Sequence, residues 1–230
     1  MKNLNSTIMR LGHRLHRDVS GLALIEFAYS FPLLMGLIGY GLEIANLTNS
    51  NMRISQAANA LADNISRVGL ESALAKTQLR ESDINDGLIG VSRQSGTMDV
   101  GANGRIIVSS LERNSSGGQW IHWQRCLGAK NYASSFGAAG EGITGTAFPG
   151  MGPASARVTA PDAENAVMFV EIIYDYKPLF STIYVSARQI KFHASYIVRD
   201  KRDLAVNSGT GITNPSPAAT AYTCNRFTAT

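Results

Sequence analysis

The chain has 230 residues, of which 44% are hydrophobic and 17% charged, and its formal net charge is +4. That composition excludes a disordered chain, and two cysteines are too few for a disulfide-dense miniprotein. The basic excess is no nucleic-acid footprint: residues 1–21 hold four of the 21 Lys and Arg but one of the 17 Asp and Glu, so the remainder is near +1.

Residues 1–20 (MKNLNSTIMRLGHRLHRDVS) read as a basic tail, poor in large apolar side chains and mobile. His13 and His16 are three apart, a spacing one helix face could use, but no third ligand is near and no metal is expected. Leu22 to Leu42 is then an apolar run, long enough to cross a hydrocarbon core at about 1.5 Å per residue. Pro32 is compatible with a membrane helix. Lys2, Arg10, Arg14 and Arg17 precede the run and only Asp18 opposes them. The positive-inside bias therefore puts residues 1–20 in the cytoplasm and the remainder outside. The alternative is a buried core helix, but few of those are apolar on all faces over this length.

One acid, Glu26, interrupts the run. A charge at a bilayer centre costs roughly 2.5–3.5 kcal/mol, so a partner is required. A chain cut between Gly21 and Leu22 would begin with an α-amine at Leu22, four residues before Glu26 and on the same helix face. The amine and the helix N-terminus both favour a carboxylate there. At about 4 Å and an effective dielectric near 20 their attraction is roughly 4 kcal/mol before desolvation. The amine of a neighbouring subunit would serve equally and would set an axial stagger between packed helices. A glutamate that merely snorkels to the interface is the plainer reading.

A basic leader, Gly21, then LALIEF with the acid at the fifth position of the would-be mature chain resembles a type IV prepilin cleavage site. Phe27 after the glutamate is similar to the Flp-pilus subclass. The stretch GLALIEFAYSFPLLMGLIGYGLEIANL, with its proline and its second glutamate, Glu43, resembles the anchor of TadE-like and TadF-like minor pilins, or pseudopilins. The resemblance covers residues 21 to about 65, and beyond that only EIIYDYKPLF is loosely similar. It implies processing at Gly21 and Leu22 by a prepilin peptidase, with Glu26 and Phe27 serving assembly of a tight-adherence pilus. It implies membrane lipid, other Tad pilus subunits and the inner-membrane assembly platform as partners. The chain would then be a single-pass inner-membrane protein with its C-terminal domain in the periplasm, or a subunit of the extracellular pilus. The alternative is an uncleaved anchor that presents a periplasmic protein-binding module.

After the span, at residues 22–43, comes an expected helical stalk over residues 44–93. Ile44, Leu47, Ile54, Ala58, Leu61, Ile65 and Val68 recur at helical spacing, so one helix is expected from 22 to 68, with fraying at residues 49–51 and an end at Gly69. The stripe can pack on the chain's own sheet or along a neighbouring subunit. A shorter helix is expected with Ser82 as its N-cap and with Ile84, Leu88 and Ile89 facing the core.

Residues 94–230 read as an antiparallel sheet domain. RIIVSSLER at 105–113 and QWIHWQRC at 119–126 form a hairpin across a glycine-bearing loop. Trp120 and Trp123 cannot share a face in a regular strand, so one of them is expected outside. Residues 127–165 look like an irregular loop, and the run of glycines at 137–142 lacks the strand–helix context of a phosphate loop. Strands follow at 166–176 and 189–199, with Glu171 expected on an outward edge and His122 and His193 packed or solvent-facing. Cys126 and Cys224 are an even pair expected outside the cytoplasm, hence one disulfide that ties down the C-terminal tail. No G-x-S-x-G, Walker A, H-E-x-x-H or paired C-x-x-C is found, so neither an enzyme nor a cofactor is expected. The expected fold class is α+β: a long N-terminal transmembrane and stalk helix packed on a small antiparallel sheet.

Overall fold

The computed structural model describes residues 9, 12–14, 16, 21–69, 76–180, 182–205 and 209–229. Most of the expected N-terminal tail lies outside these; Met9, residues 12–14 and His16 are helical and exposed. Helix α1 runs from Leu22 to Arg67, α2 is Glu81–Gln94, and a single turn, α3, is Val100–Asn103. The strands are β1 (Gly104–Arg113), β2 (Gln119–Leu127), β3 (Val167–Tyr176) and β4 (Arg188–Ile197). The fold is α+β. The chain divides into two compact units, Met1–Asn46 with Pro178–Ser186, and Leu47–Lys177 with Ala187–Thr230.

The larger unit is built on a four-stranded antiparallel sheet of order β2-β1-β3-β4. Register assigns its faces. Arg105, Ile107, Ser109 and Leu111 pair with Ile173, Glu171, Phe169 and Val167 of β3, so all of these share one face. The irregular segment between β2 and β3 covers that face: Phe136, Phe148, Met151 and Val158 pack on Leu111, Ile121, Val167 and Phe169. Gln119 fixes the segment by bonding both backbone groups of Ala160, accepting at 2.7 Å and donating at 3.1 Å. The opposite face carries Ile106, Val108, Met168, Val170 and Ile172, all buried, beneath the helical layer. Ile54, Ala58, Leu61 and Ile65 of α1 and Ile84, Leu88 and Val91 of α2 supply that layer's buried side chains. Arg125 of β2 ties the two layers through Glu81 of α2, donating from Nη2 at 2.8 Å.

The end of α1 is held from outside the helix. Arg202 donates from Nη2 to the carbonyls of Ile65 and Val68, at 3.0 and 2.7 Å, where the last turn leaves acceptors unpaired. Burial pushes the Arg202 guanidinium down to about 10, with the nearby acids opposing that shift.

Several expectations need correction. The helix is unbroken through residues 49–51, and its stripe is buried only from Ser50 and Ile54 onward, Ile44 being exposed. Helix α2 begins at Glu81 with Arg80 as N-cap; Asp83, not Ser82, closes the end by accepting from the Arg80 backbone N–H. Ile89 is only half-buried and Val91 takes the third core position. Trp120 and Trp123 do share a face. Ser110 pairs with Trp123 and Leu111 with Ile121, so His122 is an extra residue in a β-bulge that resets the alternation. Glu171 lies on a central strand, 2% exposed, and accepts from Ser134 Oγ and the Ser135 N–H.

Candidate functional site

The smaller unit holds the features that set this chain apart. A helix pairs its backbone groups within itself, as a segment crossing a hydrocarbon core must, and residues 22–46 are helical throughout, Pro32 included. Leu22, Leu24, Ile25, Phe27, Tyr29, Leu33 and Leu37 are each more than half exposed. They point in every direction around the helix, and no described residue of the chain covers them. The helix is long and apolar enough to cross a membrane, with a mean hydropathy of 1.7 in its most apolar window.

The sequence-predicted site residues fall at the start of this helix. Gly21 is a turn residue whose carbonyl accepts from the Ile25 N–H at 3.2 Å, and Leu22 is the first residue of α1. Gly21 and Leu22 are both exposed. Glu26 stands one turn further on, exposed, with no hydrogen-bond or ion-pair partner among the described residues. Phe27 is 61% exposed and leans on Phe31, their ring centroids 5.1 Å apart.

Glu43 behaves differently, and reading the sequence did not reveal its task. It is fully buried, and its carboxylate accepts from the backbone N–H groups of Leu179 and Phe180 at 2.9–3.0 Å. These belong to the segment Pro178–Ser186 between β3 and β4. Further along the segment, Tyr184 lies against Gly39; a side chain at Gly39 would meet the phenol ring at about 3.1 Å, tighter than ordinary packing. Two points on α1, one turn apart, therefore hold this segment. The available signal was a second acid at the end of an apolar run, which needs a partner as much as the first.

The larger unit contains the expected bond between Cys126 and Cys224, with Cα atoms 4.7 Å apart. Arg105 reinforces it. Its fully buried guanidinium donates to the carbonyls of Gly128, Arg226 and Cys224, each at 2.7 Å, and lies 4.5 Å from the centre of the Phe227 ring. Burial without a carboxylate pushes its pKa down. At Gly128 the backbone adopts a φ of 135°, and a Cβ would sit on the Gly104 carbonyl, so only glycine fits beneath the tail.

His122, the bulged residue, stacks on Trp120 and meets Glu112 Oε2 at 2.9 Å and the Gly209 carbonyl at 2.6 Å. Burial pushes its imidazole down, but the Glu112 hydrogen bond and charge, with the Gly209 carbonyl, outweigh this and raise its pKa. His193 stacks on Phe169 and packs against Phe136. Among the described residues, no three His, Cys, Asp or Glu side chains come together as a metal site. Compared with known proteins, the chain matches no protein family, no curated protein and no solved structure.

Proposed function

We propose that this chain is a minor pilin or pseudopilin of the TadE/TadF type, serving assembly of a tight-adherence pilus. A prepilin peptidase cuts between Gly21 and Leu22. The α-amine so formed, or that of a neighbouring subunit, pairs with Glu26, and Phe27 packs between helices. The sheet domain lies on the periplasmic side, and other pilus subunits and the inner-membrane platform are its partners. The observation that carries this reading is the order Gly21, LALI, Glu26, Phe27 at the head of an apolar helix that is exposed on every side over residues 22–35. An exposed acid at that position, without a partner among the described residues, is suited to a cation supplied by processing or by another subunit.

The test is the N-terminal sequence of the membrane-extracted protein, produced with and without the matching prepilin peptidase. A peptidase-dependent start at Leu22 is expected. An intact Met1 in both samples overturns processing and favours an uncleaved anchor that presents a binding module.

A further inference from the structure

We propose that the segment Pro178–Ser186 is a second membrane contact, lying in the headgroup and upper acyl region of the bilayer beside residues 39–43 of α1, where the apolar run ends. The proposal rests on the reading of residues 22–42 as a membrane span. Three observations carry it.

The first is depth. Leu22 to Leu42 rises about 31 Å along the helix axis, close to the thickness of a hydrocarbon core, and Gly39 lies about 26 Å from Leu22. The segment is fastened at Gly39 by Tyr184 and at Glu43 through Leu179 and Phe180. It therefore straddles the level at which the apolar run ends. Tyr40 and Tyr184 lie at this level too, where tyrosines favour the membrane–water border.

The second is surface. Leu179, Phe180 and Ile183 are 61%, 58% and 88% exposed. Three large apolar side chains on one short connection are unfavourable in water and suited to lipid.

The third is backbone chemistry. A non-helical segment can enter a region poor in water only if its polar groups are paired. Residues 178–180 meet that condition for their N–H groups: Pro178 has none, and the next two are taken by the Glu43 carboxylate. The same bonds give the buried Glu43 carboxylate two backbone donors.

The test uses the full chain with its disulfide intact, carrying Ile183→Cys labelled with an environment-sensitive fluorophore. It is reconstituted in vesicles of phosphatidylethanolamine and phosphatidylglycerol that contain a nitroxide lipid. A second sample carries the label at Leu33→Cys, within the span. The label at 183 is expected to be quenched about twofold more by a nitroxide near the headgroup than by one at the acyl-chain end, and the label at 33 in the reverse order. Adding Glu43→Ala is expected to abolish the quenching at 183 and leave that at 33. Deep quenching at 33 with none at 183 overturns the second contact while the span stands. No quenching at either site overturns the span and the second contact with it. Quenching at 183 that vanishes as protein is concentrated in the bilayer assigns the segment to a second copy of the chain and overturns the lipid contact.

Discussion

Residues 22–42 and 50–66 belong to one helix with one pattern of backbone hydrogen bonds, yet they are written for different surroundings. In the first stretch large apolar side chains are exposed on every side. In the second, Ile54, Ala58, Leu61 and Ile65 form a buried stripe while Arg53, Gln56, Asn64 and Arg67 face out. Helical geometry dictates neither arrangement. The periodicity of the apolar residues does, and it reports whether the helix has one apolar neighbour or is surrounded by apolar material. The two acids follow the same division. Glu26 is exposed and has no partner among the described residues, whereas Glu43 accepts from backbone donors 136–137 residues away in sequence.

The strongest way to break this contrast is to remove the exposed charge at Glu26. Glu26→Gln is expected to leave cleavage after Gly21 intact and to lower pilus number on cells by about tenfold or more, given a pair attraction of several kcal/mol. Electron microscopy beside N-terminal sequencing reads both, and a full complement of pili would mean that the acid is a bystander. Next in size is the disulfide. Replacing Cys126 and Cys224 by serine opens a loop with a sequence separation of 98 and is expected to cost about 4 kcal/mol, read as a lower urea midpoint in detergent. The contrast between the two stretches is sharpened by a pair of truncations in the same assay. Leu61→Ala is expected to cost about 3 kcal/mol, because it leaves a cavity in a packed core. Leu33→Ala is expected to change the midpoint by less than about 0.5 kcal/mol, and equal costs would refute the division. The smallest effect is that of pH on His122. Its folded pKa is raised, so its stabilisation is complete below the ordinary imidazole value of 6.5 and is lost as pH rises through the raised folded value. The urea midpoint should fall across that window, and His122→Gln should flatten the fall.

Much of this architecture is legible in one dimension because it depends on local pattern. The apolar run, the helical stripe after Ser50 and the four β-rich segments each carry their own periodicity, and their observed ends differ from the expected ones by a residue or two. What escaped depends on partners far along the chain. The shared face of Trp120 and Trp123 follows from how β2 pairs with β1, which is invisible within β2. Glu171 looked like an edge residue because strand order cannot be read from strand composition, and β3 lies between β1 and β4. Arg105 appeared as an ordinary strand residue, its tail acceptors being 119 and 121 residues away. The cysteine pair was readable at similar range only because its chemistry allows a single pairing.

The Cys126–Cys224 bond also closes a covalent ring around the irregular segment, β3, β4 and most of the C-terminal tail. Residues 143–147 of that ring are exposed and lack regular structure, the kind of site that proteases cut first. A nick there opens the ring without dividing the molecule. The two pieces migrate together on a gel until a reductant is added, and Gln119, Glu171 and Arg105 still hold the cut segment and the tail to the sheet. A broken peptide bond in this region is therefore a local defect, whereas a cut between α2 and β1 severs the long helix from the strands.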